Sequence, residues 1–157
     1  MSTHAEATSV SHEIVVAAPV ERAFRVFTEQ LDRIKPREHN LLSADIETTV
    51  LEPRAGGRIY DRGVDGSECE WATVLAYEPP TRFVFSWNIA VSWQLEPDPE
   101  RRSEVEVSFA ADGPERTRVT LEHRHLERHG EGWQSMRDGA NGEDGWPVYL
   151  RRFQELL

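Results

Sequence analysis

The sequence has few features that would cross-link a protein, anchor it in a membrane or direct its export. Cys69 is its only cysteine, which excludes an intrachain disulfide and argues against a structural zinc site. No apolar run approaches the roughly 20 residues that a membrane-spanning helix needs. The polar N-terminus has no basic segment followed by an apolar one, as a secretory signal would. We therefore expect a cytoplasmic protein.

Positive charge is also scarce. The formal net charge is −10 and the isoelectric point is near 5.1. Lys35 is the only lysine, and every other fixed positive charge is an arginine. Phosphate groups repel such a chain, so neither nucleic acid nor an anionic membrane is an expected partner.

The length of 157 residues suits one domain, which we predict over residues 1–157. A domain of this size buries roughly 70% of the surface that its unfolded chain exposes, and it needs no covalent staple. Residues 1–9 are small and polar, and we predict that they are disordered.

Apolar residues alternate through most of the chain, which indicates strands. A first strand runs from Val10, and Pro19 then opens a short amphipathic helix. Residues 45–125 contain further alternating segments at hairpin spacing, which predicts an antiparallel sheet. In the segment 68–77, strict alternation predicts that Trp71, Thr73 and Leu75 share one face. The glycine-rich stretch 126–145 predicts a broken or short helix.

The C-terminus carries a stronger helical pattern. Its apolar residues fall at spacings of three and four from Trp146 through Tyr149, Leu150 and Phe153 to Leu157. A stripe of this length needs an apolar partner, and a twisted sheet supplies one. The predicted fold is therefore α+β, with a curved antiparallel sheet wrapped around a long C-terminal helix.

Several motifs resemble one superfamily. Residues 14–24 (IVVAAPVERAF) resemble the opening strand and helix of START-like, Bet v 1-like proteins. Residues 54–58 (RAGGR), 77–87 (YEPPTRFVFSW) and 145–147 (GWP) resemble the branch named after the activator of Hsp90 ATPase. The resemblance implies a helix-grip fold with a cavity between the sheet and the last helix.

The C-terminal third resembles the calicheamicin self-resistance family through residues 108–113 (SFAADG), 117–125 (TRVTLEHRH) and 145–147. This resemblance implies a hydrophobic or polyketide-like ligand. The chain departs from many relatives at residues 32–36 (DRIKP), where they carry paired tryptophans. We therefore expect a different cavity mouth.

Stiff aromatic side chains dominate ligand pockets because they offer a large apolar contact area. The aromatic-rich inner faces and the implied cavity give a set of candidate ligand-binding residues, for which plain core packing is the alternative interpretation. The candidates are Trp71, Phe83, Trp87, Trp93, Val107, His123, Trp133 and Met136.

Residues with catalytic or metal-binding chemistry are few. His123 and His125 alternate on one strand, with His129 nearby, and alternating histidines can chelate a metal or carry protons. No carboxylate or thiol stands at a supporting spacing, so we predict neither a metal nor a cofactor. Cys69 lies in no recognisable nucleophile motif.

Four functions remain open. Non-catalytic binding of a hydrophobic, polyketide or enediyne-like molecule ranks first, and a polyketide aromatase or cyclase with His123 or Tyr60 as acid or base ranks next. Self-sacrifice in enediyne resistance would use Gly113, because the resemblance places a glycine at that position. Regulation of the Hsp90 ATPase is the least expected, and either a monomer or a homodimer is compatible with the sequence.

Overall fold

The computed structural model describes residues 7–157. Most of the N-terminal stretch predicted to be disordered, residues 1–6, lies outside the described residues. The stretch that follows already has tertiary contacts. The carbonyl of Ala7 accepts a hydrogen bond from Arg137, and the Thr8 carbonyl accepts one from the backbone N–H of Leu126 at 3.0 Å.

A single antiparallel sheet of seven strands forms the body of the described chain, which confirms the predicted fold class. Its spatial order is β1-β7-β6-β5-β4-β3-β2, so six consecutive strands form a meander and β1 closes onto the last of them. The strands are β1 Val10–Val16, β2 Ile46–Leu51, β3 Arg58–Gly63, β4 Glu68–Glu78, β5 Arg82–Trp87, β6 Ser103–Ala111 and β7 Thr117–Arg124.

The longest strand, β4, does not keep one alternation along its length. Its pairing register shifts against β3 beside Ile59 and against β5 between Val74 and Ala76. A bulge of this kind inserts one residue and exchanges the two faces of the strand. The predicted common face of Trp71 and Leu75 is therefore wrong: Trp71 is buried, whereas Leu75 is 45% exposed.

Four helices cover the concave side of the sheet or its ends. They are α1 Val20–Glu29, α2 Leu31–Ile34, α3 Trp133–Asn141 and α4 Trp146–Glu155. Pro19 stands at the N-cap of α1 and Pro147 in the first turn of α4, where a missing backbone N–H costs little. The predicted short helix within residues 126–145 is α3. Among the described residues, no helix is long and apolar enough to cross a membrane.

Helix α4 lies along the concave face as predicted. Its apolar stripe of Trp146, Tyr149, Leu150 and Phe153 is almost fully buried. Helix α1 packs beside its C-terminal half, where Phe27 and Phe153 meet edge to face with ring centroids 5.2 Å apart. The N-terminal half of α4 faces the remaining part of the groove, where the candidate site lies.

Candidate functional site

A cavity of about 440 Å³ lies between the sheet and the N-terminal half of α4. Strands β3, β4, β5 and β7 form its wall, and helix α3 and the segments 35–41 and 88–93 contribute the rest. Small-molecule pockets usually measure roughly 300–1,000 Å³. The cavity can therefore hold a ligand of several fused rings.

Three tryptophans form a stiff inner wall. The rings of Trp71 and Trp87 meet at a centroid distance of 5.6 Å, and those of Trp87 and Trp146 at 5.5 Å, both edge to face. Tyr149 continues the row at 4.8 Å from Trp146. Edge-to-face packing fixes ring orientation, so this wall presents a preset apolar surface.

A buried ion pair interrupts this aromatic wall. The Lys35 ammonium, just after α2, lies 2.9 Å from a carboxylate oxygen of Asp61 in β3, and both side chains are only 3% exposed. The other oxygen of Asp61 accepts hydrogen bonds from the Thr49 hydroxyl at 2.7 Å and from the Trp71 indole at 3.3 Å. Lys35 also donates to the carbonyl of His39. Each charge is thus compensated, as burial requires.

Burial disfavours the charged form of Lys35 and lowers its pKa from the ordinary 10.5, although the neighbouring Asp61 opposes this effect. Among the cavity-lining residues that the structure describes, Lys35 is the only one with a fixed positive charge. Three carboxylates, those of Glu38, Asp61 and Asp144, line the same cavity. Lys35 is therefore the position where an anionic oxygen on a ligand would meet a positive charge, and it would share that charge with Asp61.

A second polar pair lies near the ion pair. Nδ1 of His39 and the hydroxyl of Tyr149 are 3.1 Å apart. Burial, and then the charge of Lys35, lowers the pKa of His39 below 6.5, so the imidazole is neutral at pH 7. Burial also raises the pKa of Tyr149 and keeps its hydroxyl protonated. When the neutral imidazole carries its hydrogen on Nε2, the hydroxyl donates to Nδ1, and that nitrogen can accept a proton through it.

The thiol of Cys69 also faces the cavity. Burial, followed by the charge of Asp61, raises its pKa to about 11. The thiolate is the reactive form of cysteine, so this side chain is an apolar lining group at neutral pH.

His123 belongs to a buried hydrogen-bond chain. Its Nδ1 accepts from the Trp146 indole at 3.1 Å, and its Nε2 lies 2.7 Å from the hydroxyl of Ser103. That hydroxyl in turn lies 2.6 Å from Nε2 of His129. Because indole N–H can only donate, the neutral His123 carries its hydrogen on Nε2 and donates to Ser103. Both ring nitrogens are occupied, so His123 orients the wall and is not free to exchange protons with a ligand.

Burial lowers the pKa of both histidines, to about 3 for His123 and about 4 for His129. The third histidine of the predicted cluster, His125, lies beyond the end of β7 in a left-handed conformation with φ 61°. It does not share the strand face of His123. Among the described residues, no group of three or more metal-ligating side chains could hold a metal ion.

Comparison with known proteins identifies the family to which the chain belongs. The sequence profile of the activator of Hsp90 ATPase homolog 1-like proteins matches residues 17–157. The chain belongs to this family. The resemblance seen in the sequence is thereby confirmed, and no match was found among curated proteins.

Solved structures of similar proteins include a synthase and a resistance protein. One is an anthrahydroquino-γ-pyrone synthase, Txn09, complexed with SUM; it is 37% identical over 97% of this chain and 98% of that chain, with a TM-score of 0.67. Another is the self-sacrificing resistance protein CalC from Micromonospora echinospora, 28% identical over 94% and 92% of the two chains, with a TM-score of 0.67. The Aha1 dimer from Colwellia psychrerythraea shares the fold at 14% identity and a TM-score of 0.61 over 95% of each chain.

In this member of the family, five of the eight candidate ligand-binding residues line the cavity. They are Trp71, Trp87, Trp93, His123 and Met136. Phe83 and Val107 are fully buried in the apolar core and do not reach it. Trp133 begins α3, where the guanidinium of Arg137 lies over its ring at 5.2 Å, and it does not line the cavity either.

Tyr60, the other candidate acid or base, and Gly113, the candidate for self-sacrifice, do not line the cavity. Tyr60 is in β3, and its alternation with Asp61 directs it to the face opposite the cavity. The guanidinium of Arg58 stacks on its ring at 4.4 Å. Gly113 lies in the β6–β7 turn with φ 131°. His123 is six positions along β7 from Thr117, which lies beside that turn, so roughly 20 Å of strand lies between the turn and the cavity.

Sequence reasoning missed the polar residues of the cavity: Lys35, His39, Asp61 and Tyr149. Two signals were present. Lys35 is the only lysine in a chain that otherwise uses arginine, and it lies in the segment 32–36 where the family pattern changes. Asp61 is an acidic residue on the inward face of a strand. Their pairing required knowledge of how α2 packs against the sheet.

Proposed function

We propose that this protein is a cyclase that closes an oxygen-containing ring on a polycyclic aromatic polyketide. The buried Lys35–Asp61 pair beside the His39–Tyr149 pair, in the wall of an otherwise aromatic cavity, is the observation that carries this proposal. A passive binder of apolar molecules gains nothing from a buried cation. The 37% identical Txn09, named as an anthrahydroquino-γ-pyrone synthase, supports the same reaction class.

The chemistry of such a ring closure needs a base and a cation. A phenolic oxygen adds to the β carbon of a conjugated ketone, and a C–O bond forms as the O–H proton leaves. The electron pair of the acceptor moves to the ketone oxygen and makes an enolate, which is then protonated at carbon. With an alkynyl ketone the pyrone is an isomer of the substrate, so the reaction requires no oxidant or reductant.

The chain has one group for each task. The neutral His39 accepts the phenolic proton through the Tyr149 hydroxyl, whose oxygen lies 3.1 Å from its Nδ1. The ammonium of Lys35 stabilises the negative charge that develops on oxygen, an effect that grows in a dry cavity. Asp61 holds Lys35 in place, and the tryptophan wall orients the fused rings.

The test uses an ortho-hydroxyaryl alkynyl ketone built on an anthraquinone as substrate. Conversion to the isomeric pyrone is followed by liquid chromatography with mass and absorbance detection, relative to the reaction in buffer. We expect acceleration by the wild-type protein and its loss in the double variant Lys35→Gln/Asp61→Asn. Binding of the substrate without acceleration would contradict the proposal and return non-catalytic binding to first place.

The double variant is chosen because it removes both charges together. Removing one partner of a buried ion pair costs about 3–5 kcal/mol, whereas removing both leaves no uncompensated buried charge. Lys35→Gln alone therefore measures how much stability is lost when Asp61 is left without its partner. Arg33→Gln, an exposed position in α2, serves as the matched surface control.

The pH profile gives an independent check. His39 must be neutral, and its lowered pKa places the acid limb of the rate profile below 6.5. Lys35 must be charged, and its lowered pKa places the alkaline limb below 10.5. We expect a bell-shaped profile in the wild type, and loss of the acid limb in His39→Asn.

A further inference from the structure

Trp93 occupies an unusual position in the turn between Ile89 and Leu95. The backbone N–H of Trp93 donates to the Ala90 carbonyl at 2.9 Å, and the N–H of Ala90 donates to the Gln94 carbonyl at 2.7 Å. Ile89 and Leu95 form an isolated antiparallel bridge below this tight hairpin. Trp93 has φ 62°, in the left-handed region that a hairpin normally fills with glycine or asparagine.

The same residue is exposed. Trp93 is 62% exposed although tryptophan is the largest apolar side chain, and it still lines the cavity. By comparison, Trp71 in the inner wall of the cavity is only 1% exposed. The left-handed backbone of this non-glycine residue costs free energy, and the exposed indole returns little of it through burial. A strained residue that presents an aromatic ring at the edge of a cavity indicates a role toward a ligand.

The base of the hairpin is held firmly. Asn88 is 1% exposed, and its side chain bonds to the hydroxyls of Ser86 at 2.6 Å and Thr73 at 3.1 Å. The carbonyl of Glu96 accepts two hydrogen bonds from the guanidinium of Arg102, at 2.9 and 2.7 Å. The backbone that carries the indole is therefore anchored on both sides, so the place from which the ring projects is set before a ligand arrives.

We propose that Trp93 is the residue that selects planar polycyclic aromatic ligands. Its indole stacks on the part of the fused-ring system that the interior tryptophans leave uncovered. Stacking rewards a flat π-surface, whereas an apolar molecule of puckered rings gains less from the same contact. This inference rests on the proposed function for the class of ligand.

The test separates the contribution of the Trp93 ring to binding from the strain of its left-handed backbone. Trp93→Gly removes the indole and relieves the left-handed conformation, since glycine adopts it without steric cost. We expect this variant to melt at the same or a higher temperature than the wild type without ligand. We expect its affinity for the planar probe 1-hydroxyanthraquinone to fall at least tenfold. Isothermal titration calorimetry measures this affinity without relying on tryptophan fluorescence. Trp93→Phe should keep an intermediate affinity.

Two comparisons make the result specific. Deoxycholate, an apolar probe with puckered rings, should bind wild type and Trp93→Gly within a factor of two of each other. Leu95→Ala, which changes an exposed apolar residue of the same hairpin that does not line the cavity, should leave both affinities unchanged.

The outcomes are distinguishable. Equal binding of the anthraquinone by wild type and Trp93→Gly would overturn the role of Trp93 and leave the proposed cyclase intact. An equal loss of both probes would show that Trp93 does not select planar ligands. A lower melting temperature in Trp93→Gly would show that the residue serves the fold. Failure of the wild type to bind the anthraquinone would overturn the proposed function and this inference together.

Discussion

The groove between the sheet and α4 has two ends built from the same elements with opposite results. At the packed end, defined by Phe27, Phe83, Phe109 and Phe153, aromatic rings of helix and sheet interlock in the core. At the open end, defined by Trp71, Trp87 and Trp146, equally large rings surround a cavity of about 440 Å³. Aromatic content alone therefore does not determine whether a groove fills or stays open.

The difference lies in what covers each end. Helix α1 inserts Phe24 and Phe27 into the packed end and supplies the partners that the sheet needs. At the open end, α3 contributes the smaller residues Met136, Gly139 and Ala140 and no aromatic ring. Short segments after α2 and around Trp93 complete the rim, and a buried ion pair takes the place of apolar side chains. A helix that inserts aromatic rings fills the groove, whereas one that presents small residues leaves room.

Among the substitutions, the largest effect is expected from Phe153→Ala. The ring is fully buried at the packed end, so its loss should reduce the free energy of unfolding by roughly 3–5 kcal/mol. Ligand affinity should change little because the residue does not line the cavity. Denaturant titration and binding of 1-hydroxyanthraquinone measure the two quantities. A stability loss below about 1 kcal/mol would contradict the division into two ends.

Trp87→Ala tests the other end. The ring lines the cavity and is half-buried, so its removal should weaken anthraquinone binding at least tenfold, or about 1.4 kcal/mol. The loss of unfolding free energy should be smaller than the loss of binding free energy. The same two measurements apply. If stability falls more than affinity, Trp87 is a core residue and the open end is smaller than described.

These two ends also differ in how well the sequence predicts them. The apolar stripe of α4 and the alternation of β6 and β7 indicated burial, and burial is what the structure has. The cavity was harder to predict from the sequence because the same aromatic residues can line a void or fill it. Phe83 and Trp87 lie on one short strand, yet only Trp87 reaches the cavity. Which of them does so depends on the position of α1, a tertiary fact that periodicity does not contain.

Bulges and ion pairs limited the prediction further. The bulge in β4 exchanges the strand faces near Leu75, and no residue there marks it in the sequence. Lys35 and Asp61 are far apart in the chain, and each alone is typical of a solvated surface. Their burial became visible only once α2 was packed beside β3.

Acid tests the buried histidines. In the folded state His123 and His129 have pKa values of about 3 and about 4, below the ordinary 6.5. The unfolded chain therefore binds more protons as pH falls below 6.5, and the folded state loses stability. Each histidine should contribute a slope of about 1.4 kcal/mol per pH unit between pH 6.5 and 4. Denaturant titrations across this range measure it.

The control for the acid effect is His129→Gln, which removes one titrating group and keeps a polar side chain near Ser103. The slope should become shallower by the contribution of one histidine. An unchanged slope would mean that other groups govern the acid sensitivity, and that the buried chain from Trp146 to His129 opens before it titrates.

The smallest effect is expected at Gly113, outside both ends. The resemblance to the self-resistance family suggests backbone cleavage there by an activated enediyne. Roughly 20 Å of β7 lies between this turn and the cavity, so a radical formed on a bound ligand should not reach it. We expect an intact chain by mass spectrometry. A break at Gly113, absent from Gly113→Ala, would reverse the expectation and assign the protein to self-sacrifice.

The single lysine has a consequence for chemical labelling. Because Lys35 is the only residue in the chain with an ε-amino group, and because that group is almost fully enclosed, reagents that acylate lysine meet no competing side chain on the surface. The rate at which they modify Lys35, separated from the α-amino group by peptide mass analysis, therefore reports how often the cavity wall opens around one atom. The protein contains a built-in probe of its own breathing motions, and a bound ligand should slow that reaction.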